Sequence, residues 1–389
     1  MLSTHAPAEA EYRMRKNPFS LGSGDIPLCD RQIELKSFIR HAQNGQNVLV
    51  FGSRRVGKTM LIREVQRHLA RQGYIVIFCD LFGVVSIEDI SARICRAIFE
   101  LTHKHEPLHK KAIRALSTFR PNMRPTSDGM GISFSVEKTS SEIGINVLEQ
   151  TFADLASFLE QSQEKMHIVF DEFQEITEVE KGVQVQGIMR KYIQNMSASF
   201  FFVGSRKRIL TKMFHDRSKP FFQSTFDYEL ASLPQQDCIS YIKERFQSAD
   251  KTIQAKEAEL IFRLVAGNPY YLQKLCHILF DHVQDRVQDQ DEVLAAFNRL
   301  LEAEKGYVET TIDSLTPRQR ALMNALAMEK TKNIFAQEYI KKHNLGSLGG
   351  IQQSLEALSK NDLISKQDDT WQVIDPIIQA WLKEKFFVY

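Results

Sequence analysis

The 389-residue chain lacks the features of secreted, membrane-embedded and metal-clustered proteins. Its five cysteines (Cys29, Cys79, Cys95, Cys238 and Cys276) are odd in number and scattered, with no C-x-x-C spacing. That argues against a disulfide framework or a zinc site and for reduced thiols in a cytoplasm. No stretch approaches the ~20 apolar residues of a membrane span. The opening stretch, MLSTHAPAEAEYRMRK, has no apolar core of the kind a signal peptide carries. Net charge is only +2, so composition alone does not demand a nucleic-acid partner. There is no internal repeat and no low-complexity tract. What remains, 43% hydrophobic and 25% charged, is ordinary globular composition and long enough for two or three domains with their own cores.

The organising stretch is Asn47–Val65. Val48, Leu49, Val50 and Phe51 form a short apolar run of the kind found in buried parallel strands. Gly52, Ser53, Arg54, Arg55, Val56, Gly57, Lys58 and Thr59 then fit G-x-x-x-x-G-K-[ST] at every defined position. Met60 follows, with Leu61, Ile62, Val65 and Leu69 on one face of an amphipathic helix. Strand, glycine loop and helix in this order are the context of a phosphate-binding loop. The two glycines let backbone N–H groups turn inward onto phosphate oxygens, and the helix N-terminus adds a favourable dipole. Lys58 is placed to reach β- and γ-phosphates, and Thr59 to ligate Mg²⁺.

The rest of the chain reads in order. Residues 1–16 look like a flexible arm. A segment containing Pro18 and Phe19 leads to Cys29-Asp30-Arg31 at the start of a first helix. It reads either as a wall for the nucleotide base or as a packed cap. Ile75–Phe82 is a second buried strand, and Ser86 with Asp89 starts a helix in capping-box fashion. His103, His105 and His109 cluster, but no further ligand completes a metal set, so they read as a solvated helix end. Residues 120–147 are punctuated by Pro121, Pro125, Gly129 and Gly131. Ile132–Val136 and Ile143–Val147 alternate apolar and polar residues, which predicts a hairpin insertion over 120–147.

A second chemical motif lies in Met166–Gln174, where an apolar strand ends in Asp171 and Glu172. Their alternating directions let Asp171 meet the Mg²⁺ shell while Glu172 faces a water near the γ-phosphate. His167 interrupts the apolar run and reads as a neutral histidine of the core or sheet edge. Ser199–Gly204 is a further strand, with Ser205 and Arg206 at its carboxyl end, where open α/β sheets bind ligands. Ser205 reads either as a γ-phosphate sensor or as a helix cap. Phe226–Leu230 is the fifth strand.

With these pieces in place the chain resembles P-loop ATPases of the AAA+ type, within the archaeal-type ATPases close to the STAND ATPases. The resemblance rests on Asn17-Pro-Phe19, Cys29-Asp-Arg31, Gly52–Thr59 and Asp171-Glu-Phe-Gln174. It extends through Val203-Gly-Ser205 and Gly267-Asn-Pro-Tyr-Tyr271 to Asp375-Pro-Ile377. It implies an α/β fold: a five-stranded parallel sheet with the sensor strand between the loop strand and the acidic strand, a helical lid, and a winged helix-turn-helix. It also implies ATP/ADP and Mg²⁺ as ligands, with Gly267 and Pro269 meeting the phosphates from the lid side. The residues themselves agree with 17–232 as core, 233–303 as helical lid, a linker near Glu304–Ser314, and 315–389 as winged helix. The candidate recognition helix carries Gln352, Gln353 and Lys360 but no arginine, and the wing tip carries Asp368 and Asp369. A protein-docking winged helix is therefore as consistent with the sequence as a DNA reader.

One departure matters. Many relatives carry a Gly-Arg pair before the fifth strand, where this chain has Phe222-Gln-Ser224-Thr. Arg217 is the nearest substitute for an arginine acting across a homo-oligomer. The expectation is a cytoplasmic ATPase, with Lys58, Thr59 and Asp171 on the Mg-nucleotide, Glu172 as base and Ser205 as sensor. The alternative is a slowly hydrolysing, nucleotide-gated module acting on DNA or protein.

Overall fold

The computed structural model describes residues 16–20, 28–102, 123–125, 132–134 and 141–387. Apart from Lys16, the expected arm (residues 1–16) lies outside the described residues, as does the histidine trio His103, His105 and His109. The central feature is a five-stranded sheet built from β1 (Val48–Phe51), β2 (Ile75–Asp80), β5 (Met166–Asp171), β6 (Ser199–Gly204) and β7 (Phe226–Glu229). Its order is β2-β5-β6-β1-β7, with every neighbouring pair parallel. The expected placement of β6 between the loop strand and the acidic strand holds.

Alternation along β6 shows how the sheet is covered on both faces. Phe201 and Val203 point to the side packed by α1 (Gln32–Gln43) and α2 (Lys58–Arg71). Phe200 and Phe202 point to the side packed by α3 (Ile87–Thr102), α4 (Ser141–Ser162), α5 (Gly182–Ile193) and α6 (Lys207–His215). On that second side Phe173, Phe202, Phe214 and Phe221 form a knot of rings with centroids 4.6–6.0 Å apart. His167 is buried on β5 with Nδ1 2.7 Å from Ser199 Oγ, and burial pushes its pKa down to about 3. It is the neutral core histidine that the sequence suggests.

Three expectations are corrected. Phe82 is not part of β2, which stops at Asp80; the Phe82 N–H turns back to Asp80 Oδ1 (2.8 Å) and its ring is exposed. In 120–147 the paired strands are β3 (Met123–Pro125) and β4 (Ile132–Phe134), and Ile143–Val147 belongs to α4. Ile145, Leu148, Phe152, Leu155 and Leu159 are buried at helical spacing while Ile143 is exposed. The five-residue alternation is too short to compete with that longer period. The third correction concerns Glu304–Ser314, which is no linker.

Beyond the sheet come α7 (Gln235–Gln247), α8 (Ala255–Val265), α9 (Pro269–His282) and α10 (Gln290–Asp313). Helix α10 runs unbroken through the expected linker because Leu300, Glu304, Val308 and Ile312 continue one buried i, i+4 stripe. Glu304 does not read as a stripe member because it is charged; it is buried against Lys274 and Arg55. The winged helix follows as α11 (Pro317–Met328), α12 (Gln337–His343), α13 (Leu348–Lys360), the β8 (Ile364–Gln367) and β9 (Thr370–Val373) hairpin, and α14 (Pro376–Phe387). Thr316 and Gln319 close a capping box with Pro317 at the first helical position. One continuous apolar core joins α7–α10 to the winged helix, and Phe19 is sealed into it against Phe246 and Phe280.

Replacing Phe202 by Ala removes the ring at the centre of the aromatic knot. We expect a loss of about 3–5 kcal/mol in denaturant unfolding of the sheet unit. A loss under ~1 kcal/mol would mean the knot closes around the gap.

Candidate active site

The loop between β1 and α2 takes its shape from two glycines. A side chain at Gly52 would collide with the Leu230 carbonyl oxygen, and Gly57 has φ +91°, a conformation L side chains rarely adopt. Gly57 offers no side chain to cap α2, so the first-turn N–H groups are available to an anion. Lys58 is buried, and its Nζ donates to the carbonyls of Gly52 (2.9 Å) and Ser53 (2.8 Å). Burial pushes its pKa down to about 8, with Glu172 and Asp171 pulling the other way.

The acidic strand delivers its two carboxylates differently. Thr59 Oγ1 donates to Asp171 Oδ2 at 2.9 Å, and burial raises the Asp171 pKa, partly offset by that bond. Two hard oxygens side by side at the loop suit Mg²⁺, which keeps waters and phosphate oxygens for its other positions. Among the described residues there is no cluster of three or more metal-ligating side chains, so no all-protein cage competes with that fit. Glu172 turns the chain with φ +49°. Its Oε2 accepts from Ser205 Oγ (3.1 Å) and from Gln174 Nε2. Ser205 therefore turns its side chain to Glu172; the N-cap position of α6 is Arg206. Gln174 carries no role in the sequence reading, although it sits in the quoted Asp-Glu-Phe-Gln run.

A cavity of about 420 Å³ opens beside the loop. Arg54, Arg55, Val56, Gly57, Lys58, Thr59, Met60 and Glu172 line it, with Arg31 and Pro269. Arg31 is held by Glu34 (2.8 Å) and the Ala231 carbonyl. Ser20, Leu28, Cys29, Phe82, Leu233, Tyr270 and Gln273 complete the lining; Ser20, Leu28 and Cys29 belong to the segment expected as a wall for the base, whereas Phe82, Leu233 and Gln273 carry no such expectation. Of the expected nucleotide contacts, Gly52 and Ser53 fall outside this lining, and Pro18, Phe19 and Gly267 are placed elsewhere. Phe19 faces the lid core, and Pro18 offers its carbonyl to Arg245, so this segment touches the cavity through Ser20 instead. Gly267 lies behind, its carbonyl accepting from the Leu233 N–H at 3.0 Å. Arg217 is exposed on the loop after α6 and does not line the cavity.

Arg55 is the unexpected element. Its guanidinium lies 4.4 Å from the Tyr270 ring centre, 4.7 Å from Tyr307 and 5.4 Å from Tyr271. It donates to the Tyr271 hydroxyl and lies 3.7 Å from Glu304. Tyr271 in turn donates to Asp375 Oδ2 (2.7 Å), which also accepts from Tyr307 (3.3 Å). Asp375 caps α14 of the winged helix through the N–H groups of Ile377 and Ile378. The signal lay in Gly267–Tyr271 and Asp375-Pro376, which carry the resemblance but received no partner. From the winged helix, Asp362 also faces Arg54, Arg206, Lys58 and Glu172, and burial lifts its pKa to about 6.

Comparison with known proteins gives consistent results. Residues 28–275 match the family model described as an ATPase domain predominantly from Archaea, and 306–384 match one described as a probable winged helix domain. No curated protein sequence matches the chain. Among solved structures, the Walker-type ATPase PABY2304 of Pyrococcus abyssi is similar at 17% identity and TM-score 0.69, covering 94% of this chain and 99% of its own. The Aeropyrum pernix ORC2 protein, solved as ADPNP–ADP complexes, is similar at 14% identity and TM-score 0.60 (97% and 99% covered). The ORC1 protein of the same organism, solved with DNA, gives 14% and 0.52 (94% and 96%). At these identities the structural likenesses establish the fold.

Burial of Lys58 has a testable consequence in the nucleotide-free protein. An unfolded lysine keeps its proton to about pH 10.4, whereas folded Lys58 releases it near 8. Between those values the unfolded state binds more protons, so the Lys58 contribution to stability rises with pH. The stability of the parent relative to Lys58→Met should climb by up to about 3 kcal/mol from pH 8 to 10.4 in urea titrations. A difference flat in pH would show that folded Lys58 keeps its proton.

Proposed function

Because the chain belongs to the family of ATPase domains predominantly from Archaea, we propose that it couples binding and hydrolysis of Mg-ATP to movement of its lid and winged helix. The observation that carries this reading is the chain of contacts from Arg55 through Tyr271 to Asp375, which ties the phosphate loop to the winged helix. In this reading the triphosphate lies on the loop N–H groups, with Lys58 on the β- and γ-phosphates. The base rests between Leu28, Met60, Phe82 and Tyr270. Thr59 and Asp171 hold Mg²⁺, which when bound supplies charge neutralisation to the phosphates. Glu172 takes the proton of the attacking water once its carboxylate leaves Ser205 and Gln174, and Ser205 is then free to register the γ-phosphate. Arg217 is offered as the cation a second copy would supply in a homo-oligomer. The reading is of a cytoplasmic protein, supported by five free thiols. Among the described residues no helix is long and apolar enough to cross a membrane.

A second reading, a slowly hydrolysing switch on DNA or protein, is favoured by the two donors that hold Glu172. The DNA complex of the similar ORC1 protein supports a nucleic-acid partner for it. A phosphate burst followed by negligible steady-state release would mark this version.

Lys58→Ala should lose both ATP binding and hydrolysis, read by calorimetry and phosphate release. Glu172→Gln should bind ATP normally but turn over at least ~100-fold more slowly. Normal turnover in Glu172→Gln would remove that residue from the mechanism.

The coupling itself is tested at Arg55. Arg55→Ala should leave ATP affinity within about tenfold, a change of ~1.4 kcal/mol. It should also abolish the nucleotide-dependent change in hydrogen exchange of α13 and the β8–β9 hairpin. An exchange response identical to the parent would refute coupling through this residue.

A further inference from the structure

Helix α13 is the second helix of the helix-turn-helix, and its outer face does not look away from the molecule. Ile351, Leu355 and Leu358 face inward to the winged-helix core, while Gln353, Glu356 and Lys360 are exposed. These three form one wall of a cleft of about 720 Å³ whose other wall belongs to the ATPase sheet unit. That opposite wall carries Arg208 and Lys212 on α6, with Lys219 beyond it. Four cations thus face one carboxylate, and Glu356 Oε1 already accepts from Gln352 (2.7 Å). None of the four cations makes an ion pair among the described residues. On the loop after α6 another carboxylate, Asp216, accepts from the Ser218 N–H (2.9 Å) and hydroxyl (2.8 Å), and these bonds, with the nearby charges of Lys219 and Lys212, hold it below the usual carboxylate range; it offsets part of that charge from outside the cleft lining. In a chain of net charge +2, this is a local concentration of one sign across a gap. Like charges held together raise one another's energy unless an anion joins them.

We propose that this cleft binds a single-stranded nucleic acid, with Arg208, Lys212, Lys219 and Lys360 on its phosphates and the Gln353 amide at its bases. The inference goes beyond the nucleotide switch and does not depend on it. A positively charged groove that follows a backbone is the arrangement strand-binding proteins use. Arg208 and Lys212 stand one helical turn apart, ~6 Å along α6, so each addresses a different phosphate. A duplex is excluded in this arrangement, since major-groove reading needs the outer face of α13 clear of the rest of the chain. The cleft also continues toward the phosphate loop. Arg208 lines a second cavity of about 630 Å³ that reaches Ser53 and Ser205, so an occupied cleft lies against the ATP site.

The test uses the full chain and short fluorescent oligonucleotides of mixed sequence, as DNA strand, RNA strand and DNA duplex, followed by anisotropy from about 50 to 200 mM salt. Four phosphate contacts give a log–log salt slope near −3 for single strands. Arg208→Glu with Lys212→Glu should weaken strand binding at least tenfold and reduce the slope to about −1.5. Lys243→Glu, on α7, should change neither. Should the double reversal unfold the chain, Lys212→Gln with Lys360→Gln introduces no new charge and should still weaken binding about threefold or more. Four outcomes overturn the proposal: no strand binding at low salt, charge variants that bind as the parent does, tighter binding of duplex than of strand, or displacement of the strand by polyglutamate at equal charge concentration. The last would assign the cleft to an acidic polypeptide. Each is separable from failure of the ATPase reading, which phosphate release reports by itself.

Discussion

A guanidinium partly withdrawn from water must find acceptors, and the way half-buried Arg55 finds them organises this molecule. It sits in the phosphate loop, yet its partners are Tyr270 and Tyr271 at the start of α9, Glu304 and Tyr307 on α10, and through Tyr271 the cap residue of α14. Few other side chains could do this. A planar cation can stack on rings and donate in its plane at once, whereas the point charge of a lysine would satisfy one set of contacts or the other. Burial of Glu304 depends on the same cage. A carboxylate in a buried helix stripe costs several kcal/mol unless paired, and its partners are Lys274 and Arg55. Helix α10 thus runs straight from lid to winged helix with Glu304 inside, paired directly with Lys274 and, at 3.7 Å, with a second charge from the phosphate loop.

The continuous core from α7 to α14 adds a mechanical consequence. Lid and winged helix share one apolar core, and separating them would expose it to water. Against the sheet unit, by contrast, the winged helix faces clefts lined largely by polar side chains. Apolar packing resists opening in proportion to the area exposed, while polar, hydrated seams open at little cost. The apolar core is thus continuous between lid and winged helix, where the sequence suggests a linker, and the clefts lie between sheet and winged helix, across the phosphate loop.

What the sequence shows well is what repeats locally. Buried parallel strands, the glycine loop and the helix start at Ser86 and Asp89 all rest on contacts within a few residues, and the structure has them where expected. The failures share a different physics. Ile143–Val147 alternates like a strand but is claimed by a helix whose apolar period extends to Leu159. Residues 304–314 look like a linker because Glu304 hides the stripe, and only its distant partners reveal it. Phe19 has the motif position of a base contact, yet an aromatic ring gains most where Phe246 and Phe280 enclose it. In each case tertiary burial outweighs a short-range pattern. The candidate site divides the same way. Lys58, Thr59, Asp171 and Glu172 come together as their spacing implies, whereas Gln174 and the tyrosine cage required knowledge of which elements meet.

The electrostatics of the loop link these threads. Asp362 reaches from the winged helix toward Arg54, Lys58 and Arg206, and shares that space with Glu172. Its raised pKa, about 6, reflects burial that the three cations only partly offset. An anion arriving on the loop addresses the same Lys58 and Arg54, and meets the Asp362 carboxylate as a like charge. Two anions competing for one set of cations in a site of low dielectric are coupled whatever the chemistry that follows. The coupling is also reciprocal: if a polyphosphate favours a winged helix drawn away from the loop, a winged helix held away must favour the polyphosphate by the same free energy. Arg55 opposes that separation, since its cage closes only when loop, α10 and α14 are together. One basic loop thus carries a bond that holds the winged helix in and a charge arrangement that an anion turns against it. The balance between the two is set by side chains that each touch both units.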